Sequence, residues 1–121
     1  MTTRVVLVED DPTIRGVIEI LLSTEPDLEL VGSAATAEAG IDLVRRAAPD
    51  LVLLDNHLEG AMTGIQAAPS MKAASPSVVV LLCTALDLAD VAEADPAIDG
   101  YLRKDALVDL VETVRALLSR P

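Results

Sequence analysis

The chain has 121 residues, of which 20 are acidic and nine are basic, and its formal net charge is −11. A chain of this length usually forms about one domain, so we expect a single domain over residues 1–121. The excess of negative charge argues against direct binding of nucleic acid or of an anionic membrane by this domain, and it favours cations or basic protein surfaces as partners.

The apolar residues are almost all aliphatic. Hydrophobic residues make up 51% of the chain, but Tyr101 is the single aromatic residue, so Val, Leu, Ile and Ala must form the core. This composition is typical of a buried parallel sheet covered by helices. Cys83 lies within the apolar run VVVLLCT, which favours a small buried group over a reactive thiol. No apolar run approaches the roughly 20 residues that cross a bilayer, and the start lacks the pattern of a signal peptide, so we expect a soluble, cytoplasmic protein.

The first half of the chain alternates predicted strands and helices. The run RVVLV is short enough to be a strand, and Asp11 followed by Pro12 is typical of a helix N-cap with proline at the first helical position. The apolar stripe of the helix that follows consists of Ile14, Val17, Ile18, Leu21 and Leu22. LELVG is the second predicted strand, residues 36–47 are compatible with a helix, and DLVLLD is the third strand.

The second half continues this alternation. Residues 64–74 are compatible with a helix that Pro69 should kink or shorten. SVVVLLCT is the fourth predicted strand, residues 86–94 form a short helix closed by Asp95-Pro96, and IDGYLRK is the fifth strand. The apolar stripe of the last helix consists of Leu107, Leu110, Val111, Val114, Leu117 and Leu118. Strict alternation with right-handed crossovers predicts an α/β fold, a doubly wound five-stranded parallel sheet with helices on both faces.

Polar residues follow the predicted strands at the end where such sheets bind ligands, beyond the carboxyl ends of the strands and near the point where strand order reverses. In a flavodoxin-like order of 2-1-3-4-5, the first and third strands are neighbours at that point. Glu9 and Asp10 follow the first strand, Asp55 follows the third, Thr84 ends the fourth and Lys104 follows the fifth. We therefore expect these side chains to converge.

Converging carboxylates repel one another unless one is protonated or a cation binds between them. Carboxylates at the end of a buried strand are costly unless they are paired or bind metal, so we expect Glu9 and Asp10 to hold Mg²⁺ or Mn²⁺. The metal would cancel the charge of an incoming phosphate, and Asp55 could then attack as a nucleophile. Lys104 and Thr84 could donate hydrogen bonds to the phosphoryl oxygens. We expect Lys104 to be solvated and to contribute little to the stability of the fold.

Four motifs resemble the receiver domain of two-component response regulators. They are VEDD, LVLLDNHLEG, CTA and GYLRKD, and the resemblance covers residues 4–119. It implies that Asp55 accepts a phosphoryl group from a histidine kinase or a histidine phosphotransfer protein. It also implies that Glu9, Asp10 and Asp55 hold Mg²⁺ together with the backbone carbonyl of His57. We expect the His57 imidazole to be an exposed bystander, as a lone histidine in a loop usually is.

The resemblance also implies a switch. Thr84 and Lys104 would hold the phosphoryl oxygens, and Tyr101 falls where the family keeps an aromatic side chain that changes rotamer. The domain would be a signalling module with at most weak autophosphorylation and autodephosphorylation, read by an effector domain or a protein partner with a basic surface. The segments TEPDLELVGSA and GYLRKD are similar to receivers that precede a helix-turn-helix DNA-binding domain. This likeness implies the N-terminal part of a longer transcriptional regulator, and a single-domain regulator is the alternative.

Two other functional classes share this fold. A flavin-binding module needs neutral phosphate-binding loops and stacking aromatics, whereas this chain offers carboxylates and one tyrosine. A metal-dependent phosphohydrolase or nuclease would be supported by an Asp-x-Asp pair after the third strand, but that position reads Asp55-Asn56-His57. The residues therefore favour the receiver over both alternatives.

Overall fold

The computed structural model describes residues 2–120, which form alternating strands and helices. The strands are β1 (Thr3–Val8), β2 (Leu28–Ala34), β3 (Leu51–Leu54), β4 (Val79–Thr84) and β5 (Gly100–Arg103). The helices are α1 (Pro12–Ser23), α2 (Ala37–Ala47), α3 (Gly64–Ala74), α4 (Ala89–Ala94) and α5 (Leu110–Leu118). A 3₁₀ segment (Lys104–Asp109) joins β5 to α5. No helix within residues 2–120 is long and apolar enough to cross a membrane.

The five strands form one parallel sheet in the order β2-β1-β3-β4-β5, which confirms the predicted fold and strand order. The central strands β1 and β3 are adjacent, and Val8 lies opposite Leu54 at their carboxyl ends. The Asp55 N–H donates to the Val8 carbonyl at 3.0 Å, which extends the pairing by one residue. The chain therefore leaves both strands at the same level of the sheet, so the residues that follow lie side by side.

Alternate residues of the central strands fill two apolar layers. Val6, Leu54 and Leu82 pack on the side covered by α2, α3 and α4, while Leu7 and Cys83 pack on the side covered by α1 and α5. Burial raises the pKa of the Cys83 thiol to about 12, so the cysteine is a buried neutral group, as predicted. The sheet is thus covered on both faces and leaves its carboxyl edge for polar residues.

Helices α1 and α3 begin where the sequence predicts, because side chains cap their first turns. The Asp11 carboxylate accepts hydrogen bonds from the Thr13 and Ile14 N–H groups, and Pro12 is the first residue of α1, as predicted. Pro69 was expected to kink or shorten α3, and the shortening is not found, because α3 runs over the whole expected range. Pro69 lies on the exposed side and removes one hydrogen bond, while a capping box fixes the start of the helix.

Two helices begin later than the apolar pattern indicates. The fourth helix was expected over residues 86–94 but begins at Ala89, because the backbone before it bonds to Thr84 and Tyr101 instead. The last apolar stripe was expected to begin at Leu107, but that residue belongs to the 3₁₀ segment and α5 begins at Leu110. Tertiary hydrogen bonds and a tighter turn therefore override the periodic signal at both places.

Candidate metal and phosphoryl site

Three carboxylates meet where β1 and β3 end. One oxygen from each of Glu9, Asp10 and Asp55 lies within 4.8 Å of the others. Glu9 is 1% exposed and Asp55 is 3% exposed, while Asp10 is half-buried. The convergence expected from the strand ends is therefore present, and two of its three acids have almost no access to water.

Lys104 supplies the positive charge among these acids. Its Nζ lies 2.6 Å from Glu9 Oε1 and 3.0 Å from Asp55 Oδ2, and its side chain is 16% exposed. Burial raises the pKa of the Glu9 carboxyl, although the hydrogen bond from Lys104 opposes the shift. Burial alone would lower the pKa of the Lys104 ammonium, but the hydrogen bonds to Glu9 and Asp55 outweigh it and the pKa is raised. The expectation that Lys104 is solvated is therefore wrong, because the first residue after β5 points into the site between two buried acids.

The carboxylate cluster remains short of positive charge. One ammonium stands against three carboxylates, and Asp55 Oδ1 is buried without a hydrogen-bond partner in the part of the chain that the structure describes. A buried carboxylate oxygen with no partner is costly. An oxygen-rich donor set with excess negative charge fits a hard divalent cation such as Mg²⁺ or Mn²⁺. The cluster can therefore hold a metal ion.

A cavity of about 330 Å³ opens beside the carboxylates. It is lined by Asp10, Asp11, Asp55, His57, Thr84, Ala85, Leu86 and Lys104. Most of the predicted site residues therefore border one space, while Glu9 lies against Lys104 and Tyr101 lies elsewhere. The His57 side chain is exposed, which agrees with the expectation for its imidazole.

A chain of hydrogen bonds links Thr84 to Tyr101. Thr84 is 1% exposed, and its Oγ1 accepts a hydrogen bond from the Leu86 N–H at 3.3 Å. The Tyr101 hydroxyl donates to the Leu86 carbonyl at 2.7 Å and accepts from the Leu88 N–H at 3.2 Å. The backbone of one residue, Leu86, thus contacts both hydroxyl side chains, and the half-buried Tyr101 reaches the site only through this loop.

Two residues close to Asp55, one in the loop after β3 and one at the start of α3, had no role predicted from the sequence. Asn56 Oδ1 accepts a hydrogen bond from the Ile65 N–H at 3.0 Å, which ties the residue after Asp55 to the start of α3. Gly64 packs so closely that a Cβ at this position would lie 2.1 Å from the Asp55 carbonyl oxygen. An Asn in a turn and a Gly at a helix start were the available signals, and both fix the backbone of Asp55.

The family model described as "Response regulator receiver domain" matches residues 5–115. The chain belongs to this family. The receiver domain is 34% identical over 103 residues to the nitrate/nitrite response regulator protein NarL of Escherichia coli (strain K12), a match that covers 84% of this chain and 47% of NarL. It is 33% identical over 118 residues to the response regulator protein VraR of Staphylococcus aureus (strain Mu3 / ATCC 700698), covering 95% of this chain and 56% of VraR.

A solved structure agrees with these relatives. The two-component response regulator of the LuxR family from Aurantimonas sp. SI85-9A1 has a TM-score of 0.88 and 30% identity, covering 99% of this chain and 88% of that one. The receiver domain spans about half the length of the curated relatives it matches. The resemblance inferred from the four motifs is confirmed, and neither a phosphohydrolase nor a flavin-binding module is favoured.

The buried position of Lys104 leads to a stability prediction. Lys104→Met keeps the apolar stem but leaves two buried carboxylates without their ammonium, so the free energy of unfolding without metal should fall by roughly 3 kcal/mol. Arg46→Met is the matched control, because Arg46 forms an ion pair with Asp42 across one turn of α2 in which both side chains are largely exposed. Its loss should be about 1 kcal/mol or less. Urea denaturation in a chelating buffer measures both, and equal losses would contradict the role given to Lys104.

Proposed function

We propose that the receiver domain, which we take to span residues 1–121, accepts a phosphoryl group on Asp55 from a histidine kinase or a histidine phosphotransfer protein. The observation that carries the proposal is the Asp55 carboxylate, which is buried, bonded on one oxygen by Lys104 and bordered by a cavity. Its other oxygen lacks a partner within residues 2–120. The direct test is the intact mass of the chain after incubation with an acyl phosphate and Mg²⁺.

The proposed metal ligands are the Glu9, Asp10 and Asp55 carboxylates and the backbone carbonyl of His57. A bound Mg²⁺ or Mn²⁺ supplies positive charge that offsets the repulsion between these acids and a phosphoryl group. An Asp55 oxygen attacks phosphorus, and the bond from phosphorus to the imidazole nitrogen of the donor breaks. Lys104 lies within 3.0 Å of the nucleophile and donates to the developing charge on the phosphoryl oxygens, as does the Thr84 hydroxyl.

The proposed switch uses the hydrogen bonds around Leu86. Movement of Thr84 towards the phosphoryl group would weaken its bond to the Leu86 N–H, and the Leu86 carbonyl is held by Tyr101. Tyr101 would then change its packing. The ratio between two conformational states of the surface around α4 would change as a result. The chemistry of the domain itself is limited to weak autophosphorylation and autodephosphorylation.

The proposed output partner is an effector domain or protein with a basic surface. The region around α4 carries Asp87, Asp90, Glu93 and Asp95 before any basic residue occurs, and such a surface favours cationic groups. Two relatives and one solved structure are response regulators, and the receiver spans about half of each relative, so we propose that it belongs to a longer DNA-binding regulator. The receiver itself would bind neither nucleic acid nor membrane, and the family favours a cytoplasmic location.

The metal proposal predicts stabilisation by Mg²⁺. An ion that binds only the folded acidic cluster stabilises it by mass action, and for a dissociation constant on the order of 1 mM, ~10 mM Mg²⁺ adds about 1.4 kcal/mol. Asp10→Asn should raise the melting temperature without metal, because it removes repulsion and leaves both partners of Lys104 in place. The same variant should lose most of the Mg²⁺ effect. Thermal melts with and without Mg²⁺ measure both changes.

Asp90→Asn is the matched control for this experiment. It removes the same charge from an exposed position on α4, so the Mg²⁺ effect should persist at the wild-type size. A wild-type melting temperature that does not respond to Mg²⁺, or an equal response in Asp10→Asn, would contradict the site.

A further inference from the structure

Helix α4 has little local stabilisation. It has six residues, and its N-cap residue, Leu88, makes no side-chain capping bond. Isolated helices shorter than about 12 residues are marginal in water, so a helix this short depends on its packing. The stability of α4 must therefore come from contacts with β5 and with the loop before it.

The charges of α4 oppose its helical form. Asp90 and Glu93 are three residues apart on one side, where like charges repel. Glu93 and Asp95 stand at the carboxyl end, where the helix dipole disfavours negative charge. No ion pair within residues 2–120 compensates these three acids. Asp90 in the first turn gains from the dipole, but the other terms are unfavourable.

The packing of α4 is also thin. Ala92 is its single buried side chain, and alanine buries little apolar area. A cavity of about 480 Å³ borders the helix and β5 and is lined in part by Ala89, Glu93 and Tyr101. By contrast, α3 buries Met71 together with three smaller residues. Separating α4 from the sheet therefore costs far less than separating α3.

The Tyr101 hydroxyl bonds backbone groups just before α4, where no side chain caps the helix. It accepts from the N–H of Leu88, the N-cap residue, at 3.2 Å and donates to the Leu86 carbonyl at 2.7 Å. Both groups lie in the segment that leads into α4. A single hydroxyl on β5 thus fixes the start of the helix, although Tyr101 lies 13 residues beyond Leu88 in the chain.

We infer that α4 is a separate unit of local folding, which opens while the rest of the domain stays folded and which the Tyr101 hydroxyl holds closed. The acidic surface around α4 is complete only in the closed form. The population of that form therefore sets the fraction of molecules that present the complete surface to a partner. The inference concerns the chain without a phosphoryl group. It therefore stands or falls independently of the role of Asp55.

Native-state hydrogen exchange of the whole chain, followed over a series of low urea concentrations, tests this inference. The amides of α4 should exchange on the order of 100-fold faster than those of α2 and show almost no dependence on urea, which identifies local opening. Tyr101→Phe removes the hydroxyl and keeps the ring. It should speed exchange in α4 about five-fold, the effect of losing a hydrogen bond worth ~1 kcal/mol, with α2 unchanged.

Two further variants make the test specific. Glu93→Gln removes a repulsive charge and should slow exchange in α4. Thr113→Ala removes a hydroxyl that bonds the Asp109 carbonyl in another part of the fold, so it should leave α4 unchanged. The inference is overturned if α4 exchanges with the urea dependence of α2, or if Tyr101→Phe leaves its exchange rates at the wild-type values.

Discussion

Asp55→Asn is expected to abolish phosphorylation of the receiver domain while leaving it folded. The wild type should gain the mass of one phosphoryl group from an acyl phosphate, and the gain should require Mg²⁺. The variant keeps the shape of the side chain but lacks the nucleophilic carboxylate, so no gain should remain. Its free energy of unfolding without metal should not fall, because the Glu9 carboxylate still pairs with Lys104 and loses a repulsive neighbour.

Asp11→Asn is the matched control for this result. Asp11 borders the same cavity, but its carboxylate accepts hydrogen bonds from the first turn of α1, and asparagine is also an effective N-cap. This variant should be labelled as the wild type is. Intact mass spectrometry measures both proteins, and labelling of Asp55→Asn at the wild-type level would remove Asp55 from the proposed role.

Gly64→Ala is expected to destabilise the domain by roughly 2–3 kcal/mol, the upper range for overpacking. The added Cβ would lie 2.1 Å from the carbonyl oxygen of Asp55 and 2.9 Å from its carbonyl carbon. These are backbone atoms, which cannot turn aside as a flexible side chain does. The start of α3 or the end of β3 must shift, so the rate of phosphorylation should fall together with the stability.

Gly16→Ala is the opposite case and serves as the control. A Cβ on Gly16 meets nothing within 4 Å, and the residue lies inside α1. Alanine is the better helix former, so this variant should gain about 0.5–1 kcal/mol. Urea denaturation gives the free energy of unfolding of both variants. A loss in Gly64→Ala no larger than 0.5 kcal/mol, roughly that of an ordinary surface substitution, would show that the loop can absorb the methyl group.

The sequence predicted the fold well because each strand contains a short apolar run and the first and last helices have clear apolar stripes. The convergence of Glu9, Asp10 and Asp55 followed from one topological rule, that neighbouring parallel strands end at the same edge. Neither step needed side-chain detail. The assignment of strands and helices depends on the spacing of apolar residues, and the convergence of the carboxylates depends on the order of the strands.

The features that the sequence did not predict depend on contacts between distant residues. The start of α4 is set by the Tyr101 hydroxyl, and no local pattern indicates that bond. The burial of Lys104 follows from its two acidic partners, which lie far away in the chain. The close packing of Gly64 on Asp55 likewise becomes visible only when the loop after β3 is folded.

The position of Lys104 also bears on how firmly the site can hold an ion. Its ammonium bonds Glu9 Oε1 and Asp55 Oδ2, so a divalent cation that binds the other carboxylate oxygens would meet a fixed positive charge close by. The charge of Lys104 would offset part of the attraction between the acids and the ion, which would weaken the affinity for the ion and speed its release. Metal loading of this receiver would then follow the free Mg²⁺ concentration of its surroundings, as an exchangeable ion does and a permanently held structural ion does not.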